Sequence, residues 1–219
     1  MEESVVLLDF WPSSYAMRVK IALAEKGIKF EAKAENLSDK SALLLETNPV
    51  HKTIPVLIHS GKPICESLVI LEYIDEAWSE KSPLLPSDPY QRSQARFWAD
   101  FVDKKVYDAG KKVWKAKGEE QEELREELVE CLKRMEAELG DKPFFGGDAM
   151  GLVDVVLVPL SCWFYTFETF ARFSIEAECP KIVDWVKRCL QRHSVSSSLP
   201  HPNMIYDYAL QFKRKGFAY

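Results

Sequence analysis

The hydrophobic positions in the first part of the chain alternate between strand-length and helix-length segments. Residues 4–10 (SVVLLDF) form a compact apolar segment of the length of a buried strand. In residues 28–34 (IKFEAKA) apolar and charged residues alternate, which predicts a second strand. Residues 15–27 (YAMRVKIALAEKG) lie between them and predict a helix that ends at Gly27, because glycine commonly terminates helices. The chain is therefore predicted to begin with a β-α-β unit.

The following segments extend this unit to the order β-α-β-α-β-β-α. Residues 39–49 predict a short helix, and residues 53–67 contain two short apolar runs around a Ser-Gly turn, which is typical of a hairpin. Residues 68–78 predict a further helix. This order, with Pro55 at the head of the third strand, is that of the thioredoxin fold. We expect a cis peptide bond between Ile54 and Pro55, and an Ile54 backbone that can face a ligand.

The pattern changes after residue 78. Residues 79–89 contain three prolines, which interrupt any helix and predict a linker. The chain that follows has helical periodicity throughout. We therefore predict an α/β thioredoxin-like domain over residues 1–78 and an all-α domain over residues 90–219.

Two segments of the helical part have distinctive patterns. Residues 119–140 predict a charged helix with one apolar stripe, formed by Leu124, Leu128, Cys131, Leu132, Met135 and Leu139. Residues 146–170 are apolar on nearly all sides, so we expect a helix at the centre of this domain. Asp154 is predicted to accept a hydrogen bond from the Gly151 N–H and so to cap this helix.

Composition and charge narrow the function classes. The 219 residues carry a net charge of −5 at pH 7, which argues against nucleic acid as a partner. No apolar run approaches the ~20 residues that cross a bilayer, and the N-terminus does not have the pattern of a signal peptide. The five cysteines form no CxxC pair, which is typical of a reducing compartment, so we expect a cytoplasmic protein without a membrane partner. The four histidines lack metal-ligand spacing, and we expect no metal site.

The thioredoxin-like half, the linker and the helical half together resemble the soluble glutathione transferases over essentially the whole chain. Three segments are similar to the plant tau class: DFWPSSYAMRVKIALAEKGI, NPVHKTIPVLIHSGKPICESLVILEYIDE and FFGGDAMGLVDVVLVPL. The resemblance implies a homodimeric enzyme in which the glutathione thiolate attacks a hydrophobic electrophile, as in the detoxification of xenobiotics. It implies glutathione as co-substrate, no other cofactor, and a possible peroxidase side activity toward organic hydroperoxides.

The turn before the first predicted helix is the candidate catalytic element. A cysteine thiol has a pKa of ~8.5, so an enzyme must lower that of glutathione by ~2 units, which corresponds to ~2.7 kcal/mol. A hydroxyl that donates to the sulfur at a helix N-terminus can do this. The resemblance selects Ser13, two residues after Trp11, as this donor. Ser14 directly precedes the predicted helix and is expected to be its N-cap. Arg18, one turn later, is expected to orient the site electrostatically.

Each charged group of glutathione is expected to have its own contact in the protein. At the start of the predicted helix after the hairpin, Ser67 and the free N–H groups can bind the γ-glutamyl carboxylate, while Glu66 pairs with the ammonium group. Ile54 can pair with the cysteinyl backbone, as in strand addition. The resemblance assigns Lys40 to the glycyl carboxylate. Thr53 departs from the pattern, because many relatives have a second lysine there.

The second substrate is expected to bind between the two halves. The candidate residues of this electrophile site are Phe10, Trp11, Tyr15, Tyr107, Lys111, Trp114, Trp163, Tyr208, Phe212 and Lys215. Tyr107, Lys111 and Trp114 follow one another at helical spacings of four and three, so one helix face can carry all three. Asp103 is a candidate to reach the γ-glutamyl ammonium group bound by a partner subunit.

Three alternatives remain open from the sequence. A non-catalytic ligand-binding protein of the same fold would use the same aromatic residues without turnover. A thiol oxidoreductase would need a cysteine at the turn, and the first cysteine is Cys65. A structural relative within a multi-subunit assembly would usually carry additional domains.

Overall fold

The computed structural model describes residues 4–214. By its internal contacts, the chain divides into two compact units between Leu84 and Leu85. The first unit contains all the β-strands assigned within residues 4–214, and the second is helical. This is the predicted fold class, a thioredoxin-like α/β unit followed by an all-α unit.

The first unit has the predicted β-α-β-α-β-β-α order. Its elements are β1 (Val5–Asp9), α1 (Ser14–Glu25), β2 (Glu31–Ala34), α2 (Ala42–Thr47), β3 (Val56–His59), β4 (Lys62–Cys65) and α3 (Ser67–Ala77). The strands form one mixed sheet in the order β2-β1-β3-β4, in which β1 is parallel to β2 and antiparallel to β3. Leu8, Leu44 and Val56 form a buried cluster that joins β1, α2 and β3.

Several local predictions for this unit are confirmed. Gly27 follows α1 with a φ of +63°, a backbone conformation that favours glycine at a helix end. The Ile54–Pro55 peptide bond is cis. The second strand, however, is shorter than predicted: β2 begins at Glu31 and not at residue 28. All four of its residues are exposed. It is an edge strand that pairs with β1 alone, so the alternation of its side chains does not correspond to a buried face.

The second unit consists of consecutive helical segments. They are α4 (Pro89–Phe101), a π-helical segment (Val102–Val106), α5 (Tyr107–Val113), α6 (Glu119–Leu139), α7 (Leu152–Leu157), a 3₁₀ segment (Val158–Trp163), α8 (Phe164–Ala171), α9 (Ile175–Glu178), α10 (Pro180–Leu190), α11 (His193–Ser196) and α12 (Pro202–Arg214). The apolar stripe predicted for α6 is confirmed: Leu124 is half-buried and its other members are buried.

Asp154 organises the start of α7, as predicted. Its side chain accepts a hydrogen bond from the Gly151 N–H at 2.9 Å. It also accepts from the N–H groups of Phe145 and Gly146 and from Trp185 Nε1, at 2.8–3.0 Å. Burial raises the pKa of this carboxyl, and the four donors oppose the shift. One fully buried carboxylate therefore fixes the preceding loop, the helix start and α10 together.

The segment that follows corrects one expectation from the sequence. Leu152–Ala171 is a 20-residue helical segment whose most apolar window has a mean hydropathy of 1.3, so an apolar run of membrane-spanning length does exist. This window is 72% buried inside the protein, which is typical of a core helix. The predicted position at the centre of the helical unit is confirmed. Pro159 lies in its 3₁₀ segment, where the missing N–H interrupts the α-helical hydrogen bonds.

Candidate functional site

The turn between β1 and α1 places Ser13 at the N-cap of the helix. Ser13 has extended backbone angles (φ −76°, ψ 107°), and its Oγ accepts a hydrogen bond from the Ala16 N–H at 3.3 Å. The expectation that Ser14 caps this helix was therefore wrong. Ser14 is the first residue of α1 and is buried. The sequence pattern placed the start of the helix at Tyr15, one residue too late, and the assignment of the cap shifted with it.

The cap leaves the hydrogen of the Ser13 hydroxyl available. A serine hydroxyl has one hydrogen to donate and two lone pairs that accept. Within residues 4–214, Ser13 Oγ accepts from Ala16, and the structure records no group to which its O–H donates. The side chain is partly exposed and lies at the positive end of the α1 dipole. An anion placed there would receive a hydrogen bond and a favourable helix field together.

A buried arginine connects α1 with the start of α3. Arg18 is fully buried, and its Nη1 donates to Ser67 Oγ at 3.0 Å. The guanidinium carbon also lies 4.8 Å from the centroid of the Tyr15 ring. Because Ser67 Oγ accepts from Arg18, its own hydrogen can still be donated to another acceptor. These two residues are 49 positions apart, so the sequence indicated a role for each and not the contact between them.

The N-terminus of α3 has the features of an anion site. Its N-cap residue Glu66 has a φ of +68°, and no side chain caps the helix. The helix has 11 residues, so its first N–H groups and its dipole can act on a carboxylate beside Ser67. Glu66 is exposed, and its Oε1 lies 3.9 Å from His51 Nε2. The Glu66 carboxylate is therefore accessible to the ammonium group of a ligand.

The other predicted glutathione contacts lie in loops of the same unit. Lys40 is exposed and directly precedes Ser41, the N-cap of α2. Ile54 is half-buried and precedes the cis proline at the head of β3. Thr53 is exposed, and its carbonyl oxygen accepts from Asn48 Nδ2 at 3.0 Å.

The only cysteine near these residues is a poor nucleophile. Cys65 is partly buried, and its thiol lies 3.5 Å from the Thr47 carbonyl oxygen. Burial and the negative charge of Glu66 raise the pKa of this thiol, so less of it is ionised at neutral pH. The four remaining cysteines are buried and free. These features disfavour the thiol oxidoreductase alternative.

The helical unit brings four predicted aromatic residues into one group, which we call the aromatic cluster. The Trp114 ring centroid lies 5.8 Å from that of Trp163 and 6.0 Å from that of Phe212, and Tyr208 lies 6.4 Å from Trp163. Phe170 also belongs to it, 6.4 Å from Trp114, although the sequence did not single it out. The cluster combines the end of α5, the 3₁₀ segment, α8 and α12.

Two lysines that the sequence also missed lie against these rings. Lys115 Nζ is 5.4 Å from the centroid of Trp114, and Lys213 Nζ is 3.8 Å from that of Phe170. Partial burial lowers the pKa of both lysines, and a neighbouring lysine contributes in each case. Spacing in the sequence did not indicate these contacts, because adjacent residues such as Trp114 and Lys115 do not normally face each other.

The remaining candidates have different surroundings. Tyr107 is 2% exposed and donates its hydroxyl hydrogen to the Val156 carbonyl oxygen at 3.2 Å, which favours a packing role. Lys111 is exposed, and Asp103 is partly buried in the π-helical segment. In the first unit, Phe10 and Tyr15 are partly exposed and Trp11 is exposed. Lys215 lies outside the described residues.

Sequence comparisons identify both units. The model of the glutathione S-transferase N-terminal domain matches residues 3–76, and that of the C-terminal domain matches residues 92–193. A probable glutathione S-transferase, parA of Nicotiana tabacum, is 66% identical over 212 residues, which is 97% of this chain and 96% of the relative. Glutathione S-transferase U19 of Arabidopsis thaliana is 57% identical and covers 98% of each chain.

Solved structures agree with the sequence relatives. A rice transferase, GST1 (OsGSTU1), in complex with glutathione, superimposes with a TM-score of 0.95 at 47% identity over 99% of each chain. The tau-class enzyme MiGSTU of mango has a TM-score of 0.91 at 40% identity, over 95% of this chain and 98% of the mango chain. The chain therefore belongs to the plant tau class of the glutathione S-transferase family and is a glutathione transferase.

Proposed function

We propose that this transferase activates the thiol of glutathione with the hydroxyl of Ser13 and transfers the thiolate to hydrophobic electrophiles. The observation that carries the proposal is the cap of α1. Ser13 Oγ accepts from the Ala16 N–H, so its hydrogen can be donated to a sulfur at the positive end of the helix. Ser13 forms no covalent bond in this reaction. The thiol releases its proton to solvent as the thiolate forms. The thiolate attacks the electrophilic carbon, and the leaving group departs with the bonding electron pair.

The contacts of the tripeptide are proposed from the same unit. The γ-glutamyl carboxylate binds the Ser67 hydroxyl and the N–H groups at the start of α3, while Glu66 pairs with the ammonium group. Arg18 orients the Ser67 hydroxyl from within the core. Ile54 pairs with the cysteinyl backbone, and Lys40 binds the glycyl carboxylate. Glutathione is a substrate here, and we propose no additional cofactor.

The electrophile is proposed to contact the aromatic cluster and the aromatic residues near Ser13. Each flat ring of the cluster lies within 6.4 Å of at least one other, and such rings can contact an apolar body by dispersion. Reduction of organic hydroperoxides is a secondary activity of this proposal. The thiolate attacks a peroxide oxygen and an alcohol departs, and a second glutathione then converts the resulting sulfenic acid to glutathione disulfide and water. Non-catalytic ligand binding is not favoured, because relatives covering nearly the whole chain are transferases.

A homodimer in the cytoplasm is also part of the proposal. Large apolar side chains are exposed on both units, including Val50 and Val69 on the first and Tyr90 and Phe97 on the second. Contiguous exposed apolar patches often mark subunit interfaces, and we assign these four side chains to the proposed one. Asp103 is proposed to reach the γ-glutamyl ammonium group bound by the partner subunit.

The test is the ionisation of bound glutathione in two serine variants. Ser13→Ala should raise the pKa of the bound thiol by about one unit or more, because it removes the donor to the thiolate. Turnover at neutral pH should fall by about ten- to thousandfold, the usual effect of losing a preorganised donor to an anion. The measurement is the thiolate absorbance of bound glutathione as a function of pH. Ser14→Ala should leave this titration nearly unchanged.

A third variant separates catalysis from helix capping. Ser13→Ala should also reduce the free energy of unfolding by about 1 kcal/mol, whereas Ser13→Gly should reduce it by only a few tenths. Both variants lack the hydroxyl, so both should show the raised thiol pKa. A titration that is shifted by Ser14→Ala and unchanged in both Ser13 variants would show that the wrong serine was assigned.

A further inference from the structure

Glu35 is a buried carboxylate in a part of the first unit that is otherwise exposed. It directly follows β2, is 8% exposed, and lies between the exposed residues Ala34 and Asn36. Within the described residues it forms no salt bridge. Burying a carboxylate without a cation is unfavourable unless hydrogen bonds replace its hydration. The bonds that Glu35 accepts therefore indicate why it is buried.

Both oxygens of Glu35 are bound by one residue. Oε1 accepts from the Ser41 hydroxyl at 2.7 Å, and Oε2 accepts from the Ser41 backbone N–H at 3.2 Å. The Ser41 Oγ in turn accepts from the Leu44 N–H at 3.0 Å as the N-cap of α2. We call the two bonds between Glu35 and Ser41 the Glu35 clamp. The clamp fixes the position of the residue at which α2 starts.

The Glu35 clamp closes a five-residue loop, residues 36–40, whose side chains are mostly not buried against the rest of the unit. Four of its residues are exposed, and Leu37 is half-buried. Its internal bonds are local: Ser38 N–H to Asn36 Oδ1 at 3.1 Å and Asp39 N–H to Asn36 O at 3.0 Å. At the other end, the Glu35 N–H donates to the Asp9 carbonyl oxygen at 2.7 Å. The loop is therefore attached to the sheet at one end and to the clamp at the other.

We propose that Glu35 is a positioning residue for the glycyl end of glutathione, acting through Ser41 on Lys40. Lys40 is the only cation in the loop, and it directly precedes Ser41, the residue that the clamp holds. A lysine ammonium on a flexible side chain binds a carboxylate less well when its backbone is also mobile. The inference rests on the proposed role of Lys40 as the ligand of the glycyl carboxylate.

The test compares steady-state kinetics of Glu35→Ala with two thiol substrates. The Michaelis constant for glutathione should rise about two- to fivefold, the range of one exposed charge pair, with kcat nearly unchanged. With an analogue whose glycyl carboxylate is a neutral carboxamide, the variant and the parent enzyme should have equal Michaelis constants. In a Lys40→Ala background, Glu35→Ala should have no further effect.

Two further variants serve as a control for the loss of a carboxylate and as a second way to break the clamp. Glu31→Ala removes an exposed carboxylate of the neighbouring strand, 3.7 Å from Lys33, and should leave both Michaelis constants unchanged. Ser41→Asp keeps an acceptor for the Leu44 N–H but places a second carboxylate against Glu35, so it breaks the clamp and preserves the cap. It should reproduce the Glu35→Ala kinetics, and it replaces that variant if Glu35→Ala does not fold.

The outcomes separate this inference from the proposed function. If Lys40→Ala raises the Michaelis constant for glutathione and the two clamp variants do not, only the role of Glu35 is overturned. If Lys40→Ala has no effect, the assignment of Lys40 is wrong and the inference falls with it. An equal rise for the carboxamide analogue, or a loss of kcat at constant Michaelis constant, would also overturn it.

Discussion

At the scale of single residues, the Ser67 hydroxyl has two assigned roles. It accepts from the buried Arg18, and we propose that it donates to the γ-glutamyl carboxylate. Ser67→Ala should weaken glutathione binding by about 1–3 kcal/mol, the range for a hydrogen bond to a charged group. Isothermal titration calorimetry with glutathione measures the effect. Ser67→Thr keeps a hydroxyl and should restore most of the affinity, whereas unchanged affinity in Ser67→Ala would remove this residue from the site.

Single-residue predictions from the sequence succeeded where the signal was local. Asp154 lies three residues after Gly151, and the predicted hydrogen bond between them is present at 2.9 Å. The bond between Arg18 and Ser67 depends on how α1 and α3 pack, so no local pattern could predict it. The two adjacent serines show the limit of precision, because an error of one residue in the helix start exchanged their capping roles.

At the scale of elements, hydrophobic periodicity predicted the order of the first unit and the apolar stripe of α6. It did not predict the interruptions in the helical unit. The Tyr107 N–H bonds to the Val102 carbonyl, five residues earlier, and such a π-helical turn alters the periodicity by too little to be recognised. The second strand was predicted, but its exposure was not, because residue alternation does not distinguish an edge strand from a half-buried one.

The aromatic cluster is expected to determine which electrophiles the enzyme prefers. Trp114 is 4% exposed and packs against rings from three other segments, so replacing it reshapes the cluster. Trp114→Ala should change the kcat/KM of bulky and small electrophiles by unequal factors, because large apolar side chains determine the shape of such a site. Its Michaelis constant for glutathione should change less. A panel of aryl halides and hydroperoxides of increasing size provides the measurement.

Two comparisons make this test decisive. Trp78→Ala removes a tryptophan that stacks on His59 in the first unit, 4.8 Å away, and should leave the ratios between electrophiles unchanged. Trp114→Phe keeps a ring and should give a smaller change in the same direction if full truncation destabilises the fold. A common reduction for every electrophile would instead assign Trp114 to structural packing.

At the scale of the whole molecule, the two units divide the proposed chemistry between them. The first unit supplies polar and charged groups on loops and helix ends, which suits a charged tripeptide. The second unit supplies clustered aromatic rings with two lysines against them, which suits apolar electrophiles. Substitutions among the rings of the second unit would change which electrophiles are accepted. If the polar groups of the first unit are kept, glutathione remains the thiol substrate.

The proposed dimer should depend on apolar side chains that are exposed in the single subunit. Val69 on α3 and Phe97 on α4 are 56% and 58% exposed, and both are assigned to the proposed interface, where a partner subunit would cover them. Val69→Asp and Phe97→Asp should each raise the dimer dissociation constant at least about tenfold, since each would bury an unpaired charge at the interface. Sedimentation velocity over a range of protein concentrations measures this. Leu190→Asp alters an exposed apolar residue on α10 that we do not assign to the interface, so this control variant should leave the dimer intact. If the monomeric variants bind glutathione as tightly as the parent, and Asp103→Ala does too, then Asp103 does not contact glutathione bound by the partner subunit.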